Sequence, residues 1–208
     1  MTLSSDSLDR LETLLGLWLR YGPVMNLSSA RTRPELLVHV RDGLDAVWVV
    51  REVIGQGSLA WLDFGSGGGF PGLVVAAVEP GPVALVEPRQ KRVAFLEIAC
   101  GSIERKSVEI HRGRFERSTW DENPLSAWIS GSGARNSVLS ARAVWEPEEW
   151  LSVARHVGGA RSHVVMHVKS AEQCRDFGAV AVVDGDRGKV AVVPPESPTN
   201  SAVSKRKN

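Results

Sequence analysis

The sequence predicts an α/β fold in which a mostly parallel sheet is covered by helices on both faces. Short apolar runs alternate with helix-like segments after about residue 55, which is typical of βαβ units. A glycine-rich loop follows the first of these runs. The chain has 208 residues, of which 43% are hydrophobic and 24% are charged, as in ordinary globular proteins. This length suits one domain with a modest extension.

The first 54 residues predict a helical N-terminal extension. Apolar residues recur at helical spacing in a first helix: Leu8, Leu11, Leu15 and Trp18. We expect that helix to end by Pro23, because proline disfavours helical geometry in the preceding residue. A second helix is predicted from Pro34 to about Val53.

Residues 55–193 are predicted to form the α/β domain. Five apolar runs predict strands: Leu59–Phe64, Pro82–Val86, Val108–His111, Val138–Ser140 and Ser162–Val168. Three helices are expected between them: Pro71–Val78, Gln90–Ile103 and Pro147–His156. Two last runs flank a turn and predict an antiparallel C-terminal hairpin: Val180–Val183 and Val190–Val193.

Two stretches lack a regular pattern. Thr119–Ser137 carries glycines and polar residues and predicts a surface loop or insertion. The tail, residues 194–208, is rich in Pro, Ser and Lys and is expected to be disordered.

Charge and cysteine content exclude several classes of protein. Lys and Arg number 25 and Asp and Glu 24, so the net charge is +1 and any nucleic-acid-binding surface must be local. Cys100 and Cys174 lie far apart, which excludes a disulfide scaffold, predicts no metal site and suits a reducing cytoplasm. The apolar runs are of strand length and the N-terminus is polar, so neither a membrane span nor a secretory signal is expected.

The strongest local signal is the stretch from Asp63 to Gly72, which joins the first strand to a helix. Gly65, Gly67 and Gly69 allow a sharp turn and leave no side chain between the loop and a ligand. Glu87 ends the next strand, about 20 residues later, where an acid can accept hydrogen bonds from ribose hydroxyls. A plain glycine-rich turn is the alternative interpretation.

The glycine spacing alone does not choose the cofactor, since Gly67, Gly69 and Gly72 also satisfy the dinucleotide fingerprint. Asp63 would repel a pyrophosphate but suits the ammonium and sulfonium of S-adenosylmethionine. Because of this repulsion, a dehydrogenase is disfavoured. The carboxylate of Asp63 could instead cap the following helix.

Several segments resemble the RsmG (GidB) family of 16S ribosomal RNA guanine-N7 methyltransferases. The loop Asp63-Phe-Gly-Ser-Gly-Gly-Gly-Phe-Pro-Gly72 matches the family's G-x-G-x-G-[FL]-P-G pattern. Further matching segments are Asn26-Leu27-Ser28, the helix Leu37–Asp42, Leu85–Leu96 and Ser140–Val144. In the helix segment, Val38 replaces the family's Arg. The resemblance implies a Rossmann-like S-adenosylmethionine-dependent methyltransferase fold, with 16S rRNA or the small ribosomal subunit as the partner.

The resemblance also implies site residues. Cofactor contacts are implied at Gly65, Phe70, Phe115 and Glu116, and Arg142 is implied as a cleft residue that contacts the cofactor and is catalytic. Arg142 could donate to guanine O6 or to a phosphate. It could instead form a structural ion pair with a carboxylate. His39 is either an ordinary core or surface histidine or, by the resemblance, helps to dock its helix near the cleft.

Six basic residues are candidates for contact with RNA phosphates: Arg41, Arg89, Lys91, Arg92, Arg112 and Arg114. A solvated helix face is the alternative for these cations.

Two segments depart from the family pattern, and they keep other functions open. The family's Trp-Asn-Lys is here Tyr21-Gly22-Pro23, and its Phe-Asp is Asn136-Ser137. A repurposed member could methylate a small molecule, or bind cofactor or RNA without catalysis. A monomer is expected.

Overall fold

The computed structural model describes residues 2–114, 124–159 and 162–196. Its seven strands are β1 (Leu59–Phe64), β2 (Val83–Glu87), β3 (Val108–Arg112), β4 (Asn136–Ala141), β5 (Ser162–Val168), β6 (Ala181–Gly185) and β7 (Gly188–Val193). Its helices are α1 (Ser5–Met25), α2 (Arg33–Ile54), α3 (Gly72–Val78), α4 (Gln90–Ser102), α5 (Pro124–Gly131), α6 (Pro147–Gly158) and α7 (Ala171–Asp176).

The strands form one sheet in the order β3-β2-β1-β4-β5-β7-β6. The first five strands pair in parallel, whereas β7 pairs antiparallel with both β5 and β6. The predicted mostly parallel sheet with an antiparallel C-terminal hairpin is therefore confirmed.

Apolar layers cover both faces of the sheet, which explains why β1 is buried along its whole length. Alternate side chains of β1 point to opposite faces, so Trp61 joins the layer under α1–α4 and Leu62 the layer under α5–α7. A strand buried on both faces has a nearly continuous apolar sequence, interrupted in β1 only by Asp63, and this is why its bounds were predicted to the residue.

The predicted end of the first helix is wrong. Helix α1 includes Pro23 and continues to Met25, where Asn26 takes up the left-handed conformation (φ 54°) and its N–H bonds to the Gly22 carbonyl. A proline in the last turn removes only one backbone donor, and the buried face from Leu11 to Gly22 holds the helix in place. Leu8, predicted on that face, is 54% exposed.

Two short helices were not predicted. Helix α5 lies inside the stretch expected to be a surface loop, and it buries Leu125 against the layer that contains Trp150. Helix α7 follows β5 and buries Cys174. The predicted N-terminal extension packs against the sheet domain, as α2 contacts β6 and β7. The division at residues 54 and 55 stays a prediction, and of the tail only Pro194–Glu196 lies within the described residues.

Candidate active site

A cleft of about 660 Å³ opens at the carboxyl ends of β1, β2 and β4. In open parallel sheets this edge is where ligands bind. The glycine-rich loop between β1 and α3 forms one wall, and the segment after β4 forms another. The site residues predicted from the sequence that line the cleft are Gly65, Gly67, Phe70, Glu87 and Arg142.

Two glycines of the loop occupy positions that a side chain would strain. Gly65 has φ +65°, and a Cβ added there would lie 2.4 Å from Cγ2 of Val144, across the cleft wall. Gly69 has φ +92°, and its added Cβ would lie 2.3 Å from Leu73. Both conformations disfavour L side chains. The loop therefore needs glycine for its shape as well as for its close approach to a ligand.

Glu87 ties the second strand to the loop. One carboxylate oxygen accepts a hydrogen bond from the Gly67 N–H at 2.9 Å, and the other accepts one from the Arg89 N–H, also at 2.9 Å. The side chain is buried, yet it lines the cleft. A carboxylate has about four lone-pair sites, so two remain for ligand hydroxyls. The predicted ribose contact is compatible with this arrangement and stays a prediction.

Asp63 lies beneath the loop, outside the residues that line the cleft. It is fully buried at the end of β1, and one of its oxygens accepts a hydrogen bond of 2.6 Å from the Ser140 hydroxyl. Burial raises its pKa to about 6, against the lowering effect of that hydrogen bond. An added Cβ at Gly72 would lie 2.5 Å from Asp63 Oδ2, so Asp63 packs against the start of α3. This placement favours the structural alternative for Asp63 over direct contact with an ammonium.

Phe70 is held between two rings from the N-terminal helices. Its ring stacks on Trp18 at a centroid distance of 4.3 Å and on His39 at 4.8 Å. The indole N–H of Trp18 also donates to the Gly68 carbonyl at 2.6 Å. Helices α1 and α2 therefore shape the loop directly. Sequence periodicity placed Trp18 only on an apolar helix face, and no local signal shows its bond to the loop.

Replacing Trp18 by phenylalanine should lower the free energy of unfolding by about 1–3 kcal/mol, because the buried Gly68 carbonyl loses its donor while an aromatic ring remains on Phe70. Urea denaturation measures this loss. Trp48→Phe is the matched control, since Trp48 is 37% exposed on α2 and lies outside the residues that line the cleft. Equal losses in the two variants would contradict the assigned role of the indole N–H.

Arg142 follows β4 and enters a polar network with α2. Its Nη2 lies 2.7 Å from Nδ1 of His39, and its Nη1 lies 3.4 Å from an oxygen of Asp42. A guanidinium carries only donors, so Nδ1 of His39 accepts and the ring proton sits on Nε2. Burial, with the nearby charges of Arg142 and Arg187, lowers the pKa of His39 to about 4. His39 is therefore neutral at neutral pH and anchors Arg142 at the cleft wall.

The low pKa of His39 makes stability depend on pH. Between about pH 4 and pH 6.5 the unfolded chain binds a proton that folded His39 does not, so this group's contribution rises with pH across that window and is lost as pH falls. His39→Gln keeps a side-chain acceptor and removes the titration. The free energy of unfolding of this variant should rise less steeply with pH than that of the wild type. Identical slopes in this window would show that His39 is not held neutral.

Two predicted cofactor residues, Phe115 and Glu116, lie outside the described residues. Of the predicted RNA contacts, Arg89, Arg92 and Arg114 line the cleft. The others are exposed residues: Lys91 on α4, Arg112 at the end of β3, and Arg41 on α2, 3.7 Å from Asp186. Val144 and Leu27 also line the cleft and were not predicted as site residues, although both lie in segments that resemble the family.

Comparison with known proteins identifies the family. The family model GidB, described as rRNA small subunit methyltransferase G, matches residues 7–179, which is more than half of the chain. The chain belongs to the GidB family.

Curated relatives of this GidB chain carry the name ribosomal RNA small subunit methyltransferase G. The Wolinella succinogenes protein is 32% identical over 149 residues, covering 71% of this chain and 68% of that one. The Novosphingobium aromaticivorans protein is 38% identical over 112 residues, covering 53% of this chain and 48% of that one. The Halorhodospira halophila match covers 53% of its protein. The chain thus spans about half the length of the latter two relatives.

Solved structures similar to the GidB chain bear out the fold. A mutant of MtNAS in complex with S-adenosylmethionine has a TM-score of 0.54 at 10% identity, covering 90% of this chain and 75% of that one. A hypothetical protein of Thermus thermophilus has a TM-score of 0.53 at 17% identity, covering 80% of this chain and 90% of that one. At such identities the similarity shows a shared Rossmann-like fold and nothing more specific.

The described residues form neither a candidate metal site nor a candidate membrane-spanning helix. Within the ranges 2–114, 124–159 and 162–196, no three His, Cys, Asp or Glu side chains are grouped so that they could hold a metal ion. Within the same ranges, every helix is too short or too polar to cross a membrane.

Proposed function

We propose that this protein is an S-adenosylmethionine-dependent methyltransferase that methylates N7 of a guanine in the 16S rRNA of the small ribosomal subunit. The observation that carries the proposal is the joining, in one cleft, of the glycine loop, Glu87 and Arg142, in a chain of the GidB family. The names of the curated relatives support the rRNA substrate.

The residues of the cleft fit the cofactor. The loop presents backbone with no side chain at Gly65 and Gly67, and Glu87 offers oxygens that suit a ribose. S-adenosylmethionine, when bound, supplies a methyl group on a positively charged sulfur. We assign Gly65, Gly67, Phe70 and Glu87 to holding it, with Phe115 and Glu116 proposed from the family pattern. Asp63 does not line the cleft, and we assign it an indirect role, in which it supports the loop by packing against the start of α3.

The main catalytic role of this chain is to position the cofactor and the acceptor base. Guanine N7 carries an accessible lone pair, so the acceptor needs no general base. Holding two reactants at attack distance can supply much of the rate enhancement by itself. The Arg142 guanidinium keeps donors beyond those facing His39 and Asp42, and its planar fork suits guanine O6 or a phosphate. We propose that Arg142 orients the acceptor base.

The two segments that depart from the family pattern lie away from the cleft. Tyr21 sits within α1, where its ring packs on Phe95 at a centroid distance of 6.2 Å. Asn136 and Ser137 begin β4, at the end of the sheet opposite the cleft, and Ser137 bonds to Ser162. None of the departing residues lines the cleft, although the Gly22 carbonyl accepts the N–H of Leu27, which does. A repurposed small-molecule enzyme or a non-catalytic binding protein is therefore not favoured.

The proposal includes a monomer acting in the cytoplasm on the small subunit. One chain supplies a cleft of sufficient volume, and both cysteines are buried thiols, which fits a reducing compartment. Light scattering at assay concentration should give the mass of one chain.

The test is transfer of labelled methyl from S-adenosylmethionine to small ribosomal subunits that lack this modification, beside a panel of small-molecule acceptors. We expect label in the RNA fraction and none in the panel. Label in a small molecule alone would replace the rRNA assignment while leaving the cofactor assignment intact.

A further inference from the structure

A second cavity of about 170 Å³ adjoins the cleft and shares Arg142 with it. It lies between the carboxyl end of β5 and the turn of the β6–β7 hairpin, and we call it the hairpin cavity. Its polar lining residues are Asp42, Arg142, His167, Lys169, Arg187 and Lys189. Of these six residues, only Arg142 belongs to the site predicted from the sequence.

Two guanidinium groups converge at the edge of this cavity. Arg142 Nη2 lies 2.7 Å and Arg187 Nη1 lies 3.4 Å from the same nitrogen, Nδ1 of His39. His39 is neutral, so it can accept a hydrogen bond but cannot offset their charge. Two cations placed this close repel each other. Burial lowers the pKa of Arg142, Asp42 opposes this, and the charge of Arg187 lowers it further.

Among the residues that line the cavity, four basic side chains stand against the single carboxylate of Asp42. Asp42 faces Arg142 at 3.4 Å and also lowers the net charge felt around Arg187. Three further carboxylates lie nearby: Asp184 pairs with Lys189, Asp186 lies 3.7 Å from Arg41, and Asp45 neighbours Asp42 on α2. Arg187 and Lys169 have no carboxylate within ion-pair distance among the described residues. The cavity lining is therefore positive, unlike the chain as a whole, whose net charge is only +1.

One residue that lines this cavity carries a polar atom without a partner. The Nε2 of His167 is buried and has no hydrogen-bond partner within the described part of the chain. A buried polar atom without a partner is costly unless a ligand or water satisfies it. The hairpin cavity thus combines unpaired positive charge with an unsatisfied hydrogen-bonding atom.

We propose that the hairpin cavity binds a backbone phosphate of the RNA acceptor strand next to the target guanosine, with Arg187 and Lys169 as the principal ligands and Arg142 linking this subsite to the cleft. This inference rests on the proposed function. S-adenosylmethionine carries no phosphate, whereas an RNA strand entering the cleft brings one for every nucleotide. Guanidinium forks match phosphate oxygens in both charge and geometry. The subsite would fix the register of the strand.

The test compares Arg187→Ala with Arg135→Ala. Arg135 is an exposed arginine at the amino end of β4, so its loss removes the same charge at the opposite edge of the sheet. The affinity for small subunits lacking the methyl group is measured from about 50 to about 200 mM salt. We expect Arg187→Ala to weaken this affinity about tenfold and to reduce the salt slope by about one, while Arg135→Ala leaves both near the wild-type values.

Two further variants sharpen the result. Arg187→Lys should recover part of the affinity because it keeps the charge, and Lys169→Ala should reproduce the lowered salt slope. Affinity for S-adenosylmethionine, measured by calorimetry, should stay unchanged in all four variants.

Equal effects of Arg187→Ala and Arg135→Ala would overturn the phosphate subsite. A loss confined to S-adenosylmethionine affinity would also overturn it, since the cavity would then serve the cofactor's carboxylate. Wild-type transfer to RNA is measured first, so failure of the proposed function shows before any variant is compared.

Discussion

Replacing Gly65 by arginine is expected to abolish S-adenosylmethionine binding and, with it, methyl transfer. Gly65 has φ +65°, and even a Cβ at this position would lie 2.4 Å from Val144. A long cationic side chain would also place a positive charge in the cleft that we propose binds the positively charged cofactor. Calorimetric titration should detect no cofactor binding at concentrations that saturate the wild type.

Gly101→Arg is the matched control for this substitution. An added Cβ at Gly101, on α4, meets nothing within 4 Å, so the same side chain can enter solvent there. Circular dichroism would show whether each variant is folded. Cofactor binding retained by folded Gly65→Arg would contradict the assignment of the loop as the cofactor site.

Replacing Arg142 by alanine is expected to lower the rate of methyl transfer by about 10²–10³, the usual effect of losing an electrostatic donor in an active site. The affinity for S-adenosylmethionine should change much less, because the loop and Glu87 remain. Single-turnover transfer to small subunits measures the first quantity and calorimetry the second. Arg142→Lys should also be slow, because an ammonium lacks the planar fork.

The competing explanation for Arg142 is a purely structural ion pair. Removing Arg142 leaves the carboxylate of Asp42, 3.4 Å away, without this partner, and that alone could distort α2. The double variant Arg142→Ala with Asp42→Asn removes the uncompensated charge. If the double variant regains wild-type transfer, Arg142 acts only through structure; if transfer stays slow while stability recovers, Arg142 acts on the substrate.

Sequence alone predicted those parts of the fold that depend on neighbours along the chain. The strands Leu59–Phe64 and Ser162–Val168 were predicted with the bounds that the structure shows, because each is a mostly apolar stretch flanked by polar or glycine residues. The end of α1 was missed because the cost of one proline is smaller than the gain from a buried helix face. Helix α5 was missed because it is only eight residues long and buries a single leucine, which is too short a segment to show helical periodicity.

The residues of the candidate site also fall into those that the sequence predicts and those that it does not. The loop and Glu87 were predicted together, since a strand, a turn and the following strand bring them together in any parallel sheet. The network of Arg142, His39 and Arg187 joins β4, α2 and the hairpin turn, which are far apart in the chain. The sequence alone therefore does not predict that these three side chains lie close together. The burial of Asp63 under the loop was equally beyond the sequence, because it depends on packing against α3 and on the Ser140 hydroxyl.

We propose that this cleft methylates guanine N7 in 16S rRNA. The most direct measurement digests the RNA of small subunits, methylated with labelled S-adenosylmethionine, to nucleosides and identifies the labelled one by mass. We expect 7-methylguanosine from a single position, present with the wild-type protein and absent with Gly65→Arg. Label in any other nucleoside, or none in RNA while the cofactor binds, would contradict it.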